Sequence, residues 1–275
     1  MKRGFLLAGL CLSLSIHATE PDSLKVDKLL AHAQTLPADS SRTLHFAKQL
    51  LGTPYVAGTL EVNDHEALVV NVDEVDCTTF VETILALCVA DKKGEPHYNA
   101  FKQALKQIRY RDGVLDGYAS RLHYFSDWIA DNERMGFVEE YTSELDADKQ
   151  TLQLDFMSTH PESYRQLKED SSLVRQLQAF ESHWQGVEVS YLPKHKLNLP
   201  PQALPIKNGD ILAITTRIKG LDVVHVGFAF WKGEKLHLLH ASSNAMKVIA
   251  DPQPLYDYSK NKKAHTGVRA IRVIR

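Results

Sequence analysis

The 275-residue chain has three cysteines, at positions 11, 77 and 88, too few to build a disulfide scaffold. Basic charge is not in excess either. Lys and Arg number 32 against 34 Asp and Glu, which leaves no basic stripe to neutralise phosphates and argues against a nucleic-acid partner. No apolar run reaches the roughly 20 residues that a membrane-spanning helix needs. GxSxG, HExxH and CxxC are all missing, as is any close Asp/His cluster, so serine and metal-dependent hydrolysis lack their usual signatures and no cofactor or metal is expected. Glycoside hydrolysis by paired carboxylates has no sequence signature and stays open. There is no internal repeat and no low-complexity tract.

What is present is ordinary for a soluble globular protein, with 44% apolar and 24% charged residues. Met1 to Ala18 has a basic start (Lys2, Arg3), an apolar run and a small residue at its end, the layout of a secretory signal. Leu10 is too bulky before Cys11 for a usual lipid attachment site, so cleavage near Ala18 is expected. Residues 19–275 would then be exported, to the periplasm first of all, without stable membrane insertion, as a monomer. Loss of Lys2 and Arg3 takes the 32 basic residues to 30 against 34 acidic ones.

The stretch Val75-Asp-Cys-Thr-Thr-Phe-Val-Glu-Thr-Ile-Leu-Ala-Leu-Cys88 places Cys77 at the start of an apolar helix. Asp76 or Thr79 can cap it, Thr79 and Glu82 have capping-box spacing, and Phe80, Ile84, Leu87 and Cys88 share a helical face. Cys77 and Cys88 lie roughly 16 Å apart on one helix, too far for a disulfide that needs its Cα atoms within about 7 Å. Two readings of Cys77 follow: a small buried apolar residue, or a thiol kept for its reactivity where unpaired N–H groups and the helix dipole favour a thiolate. The second predicts alkylation of Cys77 below neutral pH, with Cys88 protected.

Helices are expected from Asp22 to Leu51, broken at Pro37, with Asp39, Ser40 or Ser41 starting the second. A turn-rich loop carrying Tyr55 follows, and then a short extended piece at 67–71. Pro96 to Ile108 reads as a helix, and Tyr118 to Ile129 as a loop entering a helix capped by Ser126 or Asp127. In that stretch Arg121, His123, Tyr124 and Trp128 are either core and solvated residues or the lining of a groove, with Arg121 suited to a substrate carboxylate. Asn132 to Gly186 reads as charged and helical. The four prolines of 191–205 predict an irregular surface spacer. Strands are expected at 210–216, 222–231, 235–242 and 267–274, with a tight hairpin at 232–234. Helices first and an antiparallel sheet last is α+β organisation, read as a single catalytic domain with a long helical insertion over about 95–205.

Thiol chemistry needs a base and a third polar group to orient it. His225 lies inside an apolar strand and His240 near the end of its hairpin partner. His225 is either that base or a core histidine satisfied by a backbone carbonyl. Alternation puts it on one face with Val223, Gly227 and Ala229, where small residues would let the Cys77 helix approach. His237 and His240, three apart in a strand, point to opposite faces and cannot share a metal ion.

LGTPYVAGT, VDCTTFVE, NGDILAI, VVHVGFAF and LHLLHASS together resemble the successive blocks of NlpC/P60 cysteine hydrolases, papain-like enzymes that cut bacterial cell-wall peptides. The pairing of DEVDCTTFVET with ASRLHYFSDWI resembles more narrowly the N-acetylmuramoyl-L-alanine amidase-like branch, the DUF1460 family. The likeness spans about Leu50 to Ile274. It implies a papain-like core of a Cys-bearing helix on an antiparallel sheet, Cys77 as nucleophile, His225 as general base and His240 as its orienting partner. Tyr55 and Asp76, before the cysteine, would contact the reacting region, and the substrate would be peptidoglycan or a soluble muropeptide. Departures from the simpler pattern are Cys-Thr-Thr for the frequent Cys-Ser-Gly and the 148 positions between Cys77 and His225. The implied reaction is cleavage of the N-acetylmuramoyl-L-alanine amide. The alternatives are a D-glutamyl-diamino acid endopeptidase, a transferase using the same thioester, and a non-catalytic peptidoglycan-binding protein.

Overall fold

The computed structural model describes residues 20–37, 40–94 and 96–274; the expected leader at 1–18 lies outside them. Two helices open the described chain, α1 (Asp22–Ala33) and α2 (Arg42–Gln49). Ser41 caps α2 by accepting the Leu44 N–H at 3.3 Å. Next come α3 (Cys77–Lys92), α4 (Tyr98–Arg109) and α5 (Phe125–Arg134). They are followed by β1 (Val138–Glu140), β2 (Asp148–Thr151), the short helices α6 (Phe156–Thr159) and α7 (Arg165–Glu169), then α8 (Ser171–Ser182) and β3 (Glu188–Pro193). The chain closes with β4 (Ile211–Thr216), β5 (Val223–Lys232), β6 (Lys235–Ser242), β7 (Lys247–Pro254), α9 (Leu255–Lys260) and β8 (His265–Val273).

The organisation is α+β: an antiparallel sheet in the order β2-β3-β8-β4-β5-β6-β7, with β1 also paired to β8, and nine α-helices among the described residues. Both faces of the sheet are covered, which is why β4 and β5 read as almost unbroken apolar runs. Ile211, Ala213, Val226 and Phe228 face the helical layer, and Leu212, Ile214, Ala229 and Leu238 face a second cluster closed by Leu197 and Leu255. The middle of the helical layer is α3. Every residue from Thr79 to Ala90 is buried, so this helix has no solvent face; the single apolar face expected from its spacing becomes a buried cylinder.

Several expectations are corrected. The segment after α5 is not wholly helical: besides α6, α7 and α8 it supplies β1 and β3, which pair with β8 and extend the sheet. The proline-rich spacer is ordered at its start, where Leu192 and Pro193 pair with Val268 and Gly267. Pro193 is tolerated because it ends the strand. Gly267 is required there, since a Cβ would lie 2.0 Å from the Leu192 carbonyl oxygen. The piece at 67–71 joins no strand, and α5 begins at Phe125, where the Asp222 carboxylate accepts the Ser126 N–H at 2.6 Å in place of a local cap. β7 and α9 were not expected at all. Among the described residues no helix is long and apolar enough to cross a membrane.

Candidate active site

Asp76 is the N-cap of α3. Its carboxylate accepts the Thr79 N–H at 2.8 Å and the Thr79 hydroxyl accepts the Asp76 N–H at 2.8 Å, a reciprocal box that fixes the first turn. Glu82 has no part in it. It meets the Nε of Arg109 at 2.7 Å, a pair buried on both sides. The first intrahelical bond runs from the Phe80 N–H to the Asp76 carbonyl, so the N–H groups of Cys77 and Thr78 stand ahead of the ladder. Cys77 carries a free, half-buried thiol at that point. Cys88 is buried three turns on, 3.8 Å from the Thr43 hydroxyl.

Cys77 opens on a cavity of ≈ 200 Å³ whose walls include Thr78, His123, Tyr124, Asp222 and His225. A backbone hydrogen bond from Val226 reaches the thiol, so Cys77 touches β5 one residue beyond His225. Behind His225 the polar atoms form a line. Its Nε2 is 2.5 Å from Nδ1 of His240, and the Nε2 of His240 is 3.2 Å from the Asp251 carboxylate. The other Asp251 oxygen accepts the Gln253 N–H at 2.9 Å. Asp251 as a carboxylate can only accept, so His240 carries its proton on Nε2 and presents a lone pair at Nδ1. His225 must then donate from Nε2, which leaves its Nδ1 as an unprotonated acceptor.

Gly227 makes this line possible. A Cβ there would sit 2.7 Å from the His240 Cβ, so the glycine admits the histidine of β6 and not, as expected, a helix. α3 packs on the opposite face of β5, where Phe80 meets Phe228 edge-on at 5.6 Å.

Burial pushes the Cys77 thiol up to about 11, with Asp76 adding to the rise and the hydrogen bonds from Val226 and Thr78 opposing it. Burial likewise pushes His225 down to about 3, reinforced by His240, Lys262 and His265. His240 is fully buried and also lowered by burial, with Asp251 pulling the other way. The resting pair is therefore a thiol and a neutral imidazole. Desolvation thus acts against the thiolate that the helix start would favour.

His123 and Tyr124 line the cavity with Cys77 and His225. His123 meets the Tyr118 carbonyl at 2.8 Å, and the Tyr124 hydroxyl donates to Glu181 at 2.7 Å. Tyr55 is bridged through its backbone to Val75 and lies outside the cavity lining, while its phenol is raised by burial first and then by the nearby Cys77 and Asp76. Trp128 is fully buried core, stacked on Phe125 at 4.7 Å, and faces no groove. Arg121 is buried and held by Glu61 and Glu66, so its guanidinium is committed within the protein and not offered to a substrate carboxylate. Among the described residues no group of three or more His, Cys, Asp or Glu side chains is arranged to hold a metal ion; His237 turns away from His240 to the Asp251 carbonyl at 2.9 Å.

A model of the AmiA-like family, described as N-acetylmuramoyl-L-alanine amidase-like, matches residues 45–268. The chain belongs to this family. Among solved structures, an N-acetylmuramoyl-L-alanine amidase from Bacteroides uniformis is 45% identical, covering 85% of this chain and 98% of its own, with a TM-score of 0.81. A protein described as a putative xylanase from Bacteroides fragilis is 49% identical, covering 82% and 98%, with a TM-score of 0.78. A Legionella pneumophila protein assigned to the DUF1460 family model shares the fold at 24% identity and a TM-score of 0.69, covering 92% and 94%. None of the curated proteins compared with the chain matches it.

Two residues of this AmiA-like chain's site escaped the sequence reading. Asp251 lies in Asp-Pro-Gln-Pro, which looks like a turn although it ends β7. Tyr258 lies on α9, its ring 6.3 Å from His225 and 5.8 Å from His240. Pro254, Asp257 and Lys260, at the cap, first turn and last turn of Leu255–Lys260, were the readable signal for that helix.

Proposed function

We propose that this protein is an N-acetylmuramoyl-L-alanine amidase of NlpC/P60 type that uses Cys77 as nucleophile on peptidoglycan or its soluble fragments. The observation that carries the reading is the line Asp251–His240–His225, ending at the cavity that Cys77 shares. His225 Nδ1 takes the Sγ proton as sulfur attacks the carbonyl carbon of the muramoyl–alanine amide. The imidazolium and the developing anion attract each other in a water-poor cavity, so the neutral resting pair becomes charged only as bonds form. The N–H groups of Cys77 and Thr78, ahead of the helix ladder, would receive the oxyanion. His225 then returns its proton to the alanine nitrogen, the C–N bond breaks, and a muramoyl thioester remains. Water, deprotonated by His225, attacks the thioester and releases the carboxylic acid and the thiol.

The relatives named as amidases support the choice of bond. Glycoside hydrolysis needs two free carboxylates. The cavity lining contributes one, Asp222, whose oxygens already accept the N–H groups of Ser126 and Val223. The secretory layout of residues 1–18 fits an enzyme working outside the cytoplasm. The test is incubation of the protein and of Cys77→Ala with defined muropeptides, with products identified by mass. Release of the free stem peptide by the wild type alone supports the reading. The same products from both forms, or none from the wild type on intact and soluble substrates, overturns it.

A further inference from the structure

α9 and the turn after it set a tyrosine and a lysine against the imidazole pair. The Tyr258 ring lies within 6.3 Å of His225, 5.8 Å of His240 and 5.9 Å of His265. Nζ of Lys262 sits 3.3 Å from the centre of that ring, so its ammonium rests on an aromatic face and not on a carboxylate. Further out, Lys194 donates to the Lys262 carbonyl at 3.1 Å.

The charges around the pair have opposing effects. Asp251 of β7 is the carboxylate in contact with it, through His240. Cys77 of α3 and Asp222, just before β5, line the cavity on the His225 side. Lys262, His265 of β8 and Lys194 lie on the Tyr258 side, and Lys262 lowers the proton affinity of His225, His240 and His265 alike. Asp251 alone would draw a second proton onto His240. A doubly protonated His240 donates from Nδ1, which forces His225 to accept at Nε2 and to carry its own proton on Nδ1. The base facing the thiol would then have no lone pair.

We propose that Lys262 is an electrostatic positioning residue: its ammonium, seated on Tyr258, opposes Asp251 and keeps the His225–His240 pair uncharged, so that Nδ1 of His225 stays available as base into the acidic range. The proposal rests on the cysteine amidase reading. Its test is the pH profile of kcat/KM for muropeptide cleavage by the wild type, Lys262→Met and Lys262→Arg. Lys262→Met should move the acid limb up by about one pH unit, so that its loss of rate relative to the wild type grows as pH falls through the limb, approaches roughly tenfold below it and is absent at about pH 8. Lys262→Arg should restore the wild-type limb. An unmoved limb, or an equal loss at every pH, overturns the proposal. Histidine ring NMR titrations of Cys77→Ala with and without Lys262→Met give a readout that needs no turnover. An upward shift of both imidazoles supports the proposal and coincident curves overturn it, whereas an inactive wild type overturns only the amidase reading.

Discussion

At the scale of single residues, the proposed chemistry turns on proton placement. One carboxylate fixes two imidazole tautomers in succession, and the last imidazole in the line shares a cavity with the thiol. Cys77, His225 and His240 were legible because a cysteine behind a cap and histidines inside apolar strands are both unusual. Asp251 was not, because its role depends on a cross-strand neighbour and its own surroundings read as a turn. Trp128 and Arg121 misled for the opposite reason. Aromatic and basic residues look the same in sequence whether they line a groove or are buried with partners. Asp251→Asn should lower kcat by about 10²-fold or more while the melting temperature changes little, because an amide can donate to His240 and release both tautomers. Unchanged kcat in steady-state assays would refute the line as a functional unit.

At the scale of elements, α3 combines two opposed demands. Its first turn must present a thiol, and its remaining turns must fill the centre of the fold. Asp76 serves the first turn as cap while its charge raises the thiol's proton affinity, so structure and reactivity can be separated by substitution. Asp76→Ser keeps a capping acceptor and removes the charge. It should preserve stability to within ~1 kcal/mol while moving the pH midpoint of iodoacetamide labelling at Cys77 downward. A midpoint that stays or rises would contradict the assigned role of the carboxylate. The start of α3 was readable from Asp-Cys-Thr-Thr, but its complete burial was not, since periodicity shows one apolar face and cannot show that other elements cover the rest.

At the scale of the whole molecule, the sheet joins distant parts of the chain: β1 and β3 come from the segment expected to be a helical insertion, yet they pair with β8 near the end. Pairing between strands so far apart leaves no local pattern, whereas the hairpin of β5 and β6 was plain from its turn. The same compact assembly buries imidazoles in neutral form. His225 and His123 are pushed down to about 3 and His265 to about 4, each by burial first. Below about pH 6.5 the unfolded chain takes up protons that the folded one refuses, so stability should be highest above that value and fall as pH drops toward about 3. Melting temperatures recorded across that window test this, and a flat profile would contradict it. The most direct test of the whole account is a rapid acid quench of the enzyme turning over a defined muropeptide, followed by peptide mass mapping. The account predicts a muramoyl adduct as a thioester on the peptide carrying Cys77; a glutamyl adduct there would move the cut to the stem peptide, and turnover with no adduct, undiminished in Cys77→Ala, would contradict the mechanism outright.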